Sequence, residues 1–143
     1  MKKVVKRKSA VEDTGPRSVT RGLFRSFGKL AQQAAAGRPL LRGLRVAQDP
    51  NVDRFVAVHG ATRVEFLLVH SADIEPLYAE IECRRVDSAG ATEPTMIACF
   101  RFNDAGVVLQ STVPELVAER IDKESGAWSI VAAVLWDAMH AAT

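Results

Sequence analysis

The sequence predicts an α+β domain: a mainly antiparallel sheet of four to six strands, a meander, covered on one face by an N-terminal amphipathic helix and C-terminal helices. Three observations predict it. Residues Leu77 to Ser111 read as three short strands joined by two turns. Residues Ser18 to Ala36 carry helical periodicity, and Gly126 to Ala142 is an apolar stretch capable of covering a sheet. In the meander, Leu77, Ala79, Ile81 and Cys83 alternate with Tyr78, Glu80, Glu82 and Arg84. A period of two places an apolar row on one face and a charged row on the other, the pattern of a sheet covered on one side only.

In chain order, Met1 to Pro16 is basic, polar and aperiodic, and is expected to be a flexible arm preceding a single domain over residues 17–143. A helix is expected from Ser18 as N-cap to Ala36, with Gly37 as a left-handed C-terminal residue and Pro39 blocking continuation. At 100° per residue, Val19, Leu23, Phe24, Phe27, Leu30, Ala31 and Ala34 fall in one arc, and Arg21, Arg25, Lys29, Gln32 and Gln33 in the other. Leu40 to Ala47, Phe55 to His59 and Arg63 to His70 read as strands, with a bend at His59–Thr62 and a connection over Ser71 to Pro76. Asp87 to Thr95 is read as a loop, and Met96 to Asn103 as the middle strand of the meander. Met96, Ala98, Phe100 and Phe102 share one side of it. Asn103 to Gly106 supplies a tight turn in which Gly106 takes positive φ, and the third strand starts at Val107. Thr112, Pro114 and Glu115 match a capping box and predict a helix over Val113 to Lys123. Ser125 is expected to cap a last helix, Gly126 to Ala142, apolar nearly all round.

A chain of 143 residues with 48% hydrophobic and 25% charged residues is long enough for one core and too apolar to be disordered throughout. Two cysteines without CxxC spacing argue against a zinc site and against a disulfide scaffold. No apolar segment follows the basic start, and the run Gly126 to Trp136 is too short to span a bilayer, so a cytoplasmic setting is the simplest expectation. The net charge of +2 conceals an asymmetry. Residues 1–45 hold twelve Lys/Arg against two acids, a balance of +10, whereas residues 46–143 hold seven against fifteen, a balance of −8. Such a split marks an interaction tail on an acidic body.

No phosphate-binding loop, nucleophile elbow or metalloprotease motif is present, so no catalytic residue, metal ligand or cofactor is assigned. Glu80, Glu82, Arg84 and Arg101 read as cross-strand charge pairs on a solvated face, each worth roughly 0.2–1 kcal/mol, rather than as a catalytic set. His59, His70 and His140 are isolated by spacing. The first functional expectation is a non-enzymatic protein-binding module, a subunit of a larger or self-associating assembly, with the basic arm docking on an acidic body. Its interaction residues are Lys2, Lys3, Lys6, Arg7, Lys8, Arg21, Arg25 and Lys29, with Trp128 and Trp136 as interface anchors. The alternative is backbone-driven, sequence-nonspecific nucleic-acid binding through the same cations. A third reading is a small enzyme or ligand carrier with a pocket between sheet and C-terminal helix, using His59, His70, Tyr78 or Glu80. Adsorption on a membrane surface, with Phe24 and Phe27 dipping inward, ranks below these.

Overall fold

The computed structural model of the chain describes residues 16–37, 43–49, 53–70 and 78–140. Helix α1 (Pro16–Ala36) is followed by strands β1 (Arg45–Asp49), β2 (Arg54–His59), β3 (Thr62–Val69), β4 (Tyr78–Val86), β5 (Thr92–Asn103) and β6 (Val108–Ser111). A short 3-10 turn, Pro114–Leu116, leads to helix α2 (Glu124–His140). The six strands form one open sheet in sequence order, every neighbouring pair antiparallel. The predicted α+β meander is thus the observed architecture. The first sixteen-residue arm, the Leu40–Arg42 start of the first predicted strand and the Ser71–Pro76 connection lie outside the described residues, apart from Pro16, which opens α1.

Both helices cover the same face of the sheet. Alternation along the strands turns Phe55, Ala57, Val64, Phe66, Ala79, Ile81, Cys83, Ala98, Phe100 and Phe102 toward them, all buried. From α1, Phe24 and Phe27 enter this layer. Phe27 meets Phe55 edge-on at 5.1 Å, and Phe55 stacks on Phe66 at 4.6 Å. Fully burying an aromatic ring removes roughly 150–250 Å² from water, so these rings fix α1 on the sheet. Their burial overturns the membrane-surface reading, which needs the same two rings on the outside. The helix also grips the first strand through polar side chains: Gln32 Nε2 donates to Val46 O at 2.8 Å, and Gln48 Nε2 to Arg25 O at 3.0 Å.

The register defines two ends of the sheet. Asp53, His70, Tyr78 and Asn103 mark one; His59, Thr62, Val86 and Thr92 mark the other. The N-terminal turns of α1 lie at the first end, where Arg21 Nε donates to Asp53 Oδ2 at 2.8 Å. The C-terminus of α2 lies at the second, where the Arg85 guanidinium donates to Ala138 O.

Several predicted boundaries are corrected. The helix expected over Val113 to Lys123 does not form. Its backbone groups bond to the edge of β6 instead: Val108 N–H donates to Glu119 O at 2.9 Å, Ala118 N–H to Val108 O at 2.8 Å, and Ile121 N–H to Gly106 O at 2.8 Å. This burial of Leu116 and Ile121 against the sheet outweighs the capping signal. Thr112 Oγ1 accepts from Cys99 N–H at 3.0 Å, closing the β5–β6 lane rather than starting a helix. Ser18 and Ser125 lie inside the first turns of α1 and α2, which begin at Pro16 and Glu124. Gly37 bonds to Gln33 O at 3.1 Å without left-handed φ. Strand β5 starts at Thr92, four residues before Met96, and register shifts opposite Arg84 leave Met96 exposed instead of inward. Gly60 and Gly106 do take positive φ, 61° and 82°, in the turns assigned to them.

Candidate interaction surface

The face of the sheet away from the helices is charged and largely neutralised within itself. Arg101 and Glu80, on adjacent strands, approach to 3.2 Å, and Arg84 Nη1 lies 2.6 Å from Glu82 Oε1. Glu65 is 7% exposed despite facing this side; Arg54 pairs with it from β2, and Thr92 Oγ1 donates to it at 3.3 Å. A buried carboxylate requires such partners, because an unpaired charge there is strongly destabilising. Of the predicted cross-strand ladder the Glu80–Arg101 pair is present, whereas Glu82 pairs with Arg84 along its own strand, and Arg54 with Glu65 adds a cross-strand pair that alternation alone did not single out. Cys99 opens on the same face. Partial burial, then its hydrogen bond to Glu80, pushes its thiol pKa up to about 12. Burial also raises Cys83, which points into the core. Neither thiol has the depressed pKa of a reactive cysteine.

The three histidines do not converge. His59 ends β2 and His70 follows β3, at opposite ends of that hairpin, and His140 lies in the last turn of α2. His70 Nε2 is 3.0 Å from Thr20 Oγ1, and Thr20 is fully buried and donates to Arg17 O. Since that donation uses the single hydroxyl proton, the His70 ring supplies the N–H. Burial, then Arg17 and Arg21, lowers the His70 pKa, and Asp53 opposes them. These groups pin the start of α1 to the sheet. Of the residues named for a pocket between the sheet and the C-terminal helix, His59 lines a cavity against α2, whereas Tyr78 and Glu80 lie together on the face away from the helices and His70 turns to α1. Among the described residues, no group of three or more His, Cys, Asp or Glu is placed to hold a metal ion.

Of the predicted interaction residues, Lys2, Lys3, Lys6, Arg7 and Lys8 lie outside the described residues. Arg21 and Arg25 share Asp53, at 2.8 and 3.4 Å, and Lys29 is exposed one turn further along. The polar face of α1 is thus cationic, but two of its charges are answered by a carboxylate from the acidic half.

Helix α2 buries Ala127, Ile130, Val131, Val134, Leu135 and Ala138. The two tryptophans separate. Trp128 packs half-buried against the core, whereas Trp136 is 60% exposed. Its ring lies on that of His140, centroids 4.0 Å apart, and His140 Nδ1 is 2.8 Å from Trp136 O. Beside it is an apolar cavity of about 150 Å³ lined by Leu44, His59, Ala132, Leu135 and Met139 as well as Trp136.

The chain matches no family model, no curated protein and no solved structure. Its function must be argued from these surfaces. No helix among the described residues is long and apolar enough to cross a membrane. One further surface escaped the sequence reading. Strand β6 accompanies β5 only along Phe100 to Phe102, with Thr112 reaching Cys99. Residues Thr92 to Ala98 therefore have β4 on one side and no strand on the other, among the described residues. Beside this edge lies a cleft of about 640 Å³ bounded by Arg85, Glu93, Ile97, Asp137 and His140.

Proposed function

We propose that this protein is a non-catalytic binding module that acts as a subunit of a self-associating assembly, through its basic arm and the Trp136 surface of α2. The observation that carries the reading is the exposure of Trp136 next to an apolar cavity, whereas Trp128 of the same helix packs half-buried against the core. Large aromatic side chains at the centre of a contact supply most of its binding energy, and Met139 extends the same apolar strip. The charge split, +10 against −8, supports association between copies, since each chain carries both signs. Nucleic-acid binding is the weaker reading, because Arg21 and Arg25 are held on Asp53.

The test is light scattering and sedimentation velocity of the full chain over a wide concentration range, beside Trp136→Ala. Association should be visible and should weaken about 30-fold or more in the variant, the loss expected of an anchor worth at least ~2 kcal/mol. A chain that stays monomeric at every concentration, or that associates equally well without the indole, rejects this function.

A further inference from the structure

We propose that residues Met1 to Lys8 of one copy add as a strand to the open edge of β5, Thr95 to Ala98, in a second copy. The inference rests on the self-association reading and names the contact that the arm makes. An unpaired strand edge presents a row of backbone donors and acceptors, and an extended segment can continue the sheet there. Here the lane is already defined. Strand β6 occupies it as far as Ser111, Thr112 bonds both backbone groups of Cys99, and the chain then leaves the sheet at Pro114. Cys99 directs its N–H and C=O into this lane; beyond Ala98 a register shift leaves Ile97 without a partner on β4, so the added strand meets a bulged edge there. Pro94 closes the far end, where the strand also bends.

The arm has the composition this lane selects. Its first eight residues, Met-Lys-Lys-Val-Val-Lys-Arg-Lys, contain five cations around two β-branched valines. In an extended conformation one face carries Lys2, Val4 and Lys6, and the other Lys3, Val5 and Arg7. Either face thus presents a valine flanked by cations. The cleft beside the edge presents the complement, with Ile97 and the acids Glu93 and Asp137 among the residues that line it. Neither acid has an ion pair among the described residues. Arg85, the cation in the cleft, is turned to the Ala138 carbonyl.

The second copy is the occupant that the self-association reading already brings to this surface. The arm joins α1 where Thr20 meets His70 and Arg21 meets Asp53, at the ends of β3 and β2. Crossing the two spacings from β3 to β5 takes roughly 10 Å, and traversing five residues of strand length roughly 17 Å, a diagonal of about 20 Å. With residues 1–8 in the lane, the seven residues Ser9 to Gly15 extend to at most about 25 Å, so the same chain reaches the edge only when nearly straight, and the concentration dependence of amide exchange separates the two occupants.

The experiment uses full-length chains. Glu93→Lys with Asp137→Lys reverses the cleft, and Lys3→Glu with Lys6→Glu and Arg7→Glu reverses the arm. Glu93 and Asp137 are half-buried at the cleft, and the folding of every variant is checked by circular dichroism. Each reversed chain should self-associate at least tenfold more weakly by sedimentation, and mixing the two should restore a heterologous complex. Amide exchange at Thr95–Ala98 should slow with protein concentration in the unaltered chain. If the unaltered chain associates, depends on Trp136, and ignores both reversals, the arm contact is wrong and the function above stands. If exchange at Thr95–Ala98 is slow in a concentration-independent manner, the arm lies on its own sheet and the second-copy assignment is overturned. A chain that never associates overturns both. Slowing that appears only with an unrelated peptide also rejects the arm as occupant.

Discussion

Gly126 offers a test in which two general expectations have opposite signs. It lies in the first turn of α2, where propensity alone favours alanine by about 1 kcal/mol. A Cβ built at this position, however, meets the backbone of Arg120: 2.0 Å from its carbonyl oxygen and 2.9 Å from its nitrogen and carbon. Ordinary contact begins near 3.4 Å, so about 1.4 Å must be recovered by moving α2 or the segment before it. Neither moves freely. Arg120 bridges to Val107, Ile121 N–H is bound to Gly106 O, and Ala127 and Ile130 are fully buried. Overpacking of this kind costs about 1–3 kcal/mol, at the upper end when backbone is the obstacle. After the propensity gain, Gly126→Ala should destabilise the fold by roughly 2 kcal/mol. Urea denaturation should show a lower midpoint with an unchanged slope, and melting should fall by about 4–8 °C. A midpoint equal to or above that of the unaltered chain would refute the close approach of α2 to Arg120.

Two further outcomes follow from local conformation and charge. Ala118 adopts φ of 76° to place its N–H on Val108 O, and an L-residue in that region bears roughly 1–2 kcal/mol of strain; Ala118→Gly should therefore raise the unfolding free energy by about 0.5–1 kcal/mol after the entropic cost of glycine, read as a higher urea midpoint, and a fall would contradict the left-handed assignment. The lowered His70 pKa means that the unfolded chain binds its proton more readily than the folded one. Stability from this group is complete above about pH 6.5, the unfolded value, and is lost as pH falls through the folded value. His70→Gln should flatten that part of the stability–pH curve, and an unchanged curve would show that the ring is not the group responsible.

Periodicity within single elements matched the structure at most positions, whereas the local cap signals at Ser18, Ser125 and Gly37 did not. Period-two alternation placed Ala79, Ile81, Cys83, Phe100 and Phe102 inward, and the helical arc placed Phe24 and Phe27 inward. Gly60 and Gly106 marked true turns because a positive φ is a local demand. The other failures arise where a partner segment decides the outcome. Thr112, Pro114 and Glu115 carry a genuine helix-start pattern, but the free edge of β6 competes for the same backbone groups and wins by burying Leu116 and Ile121. Val19 lies in the apolar arc yet is exposed, since the arc is wider than the strip of α1 that touches the sheet. The different fates of Trp128 and Trp136 are equally invisible in a helix that is apolar all round: only the placement of α1 and the sheet determines which indole is left uncovered. The open edge of β5 follows from the unequal lengths of β5 and β6, twelve residues against four, and no local pattern encodes that mismatch.

The opposition of a basic front and an acidic remainder survives folding only in part, and the part that survives is informative. Arg54, Arg84, Arg101 and Arg120 are consumed by Glu65, Glu82, Glu80 and Asp122, all within the later residues. Helix α1 crosses the boundary, because Arg21 and Arg25 both turn to Asp53. The packing of Phe24 and Phe27 fixes that helix along the first strands, so its cations cannot reach the far edge of the sheet. Glu93 and Asp137 form no ion pair among the described residues, beside backbone groups that no described strand covers. A surplus of acid at an open edge and a surplus of cation in the arm are then two sides of one charge distribution, and the proposed contact with a second copy of the chain would bring them together without disturbing any ion pair already made.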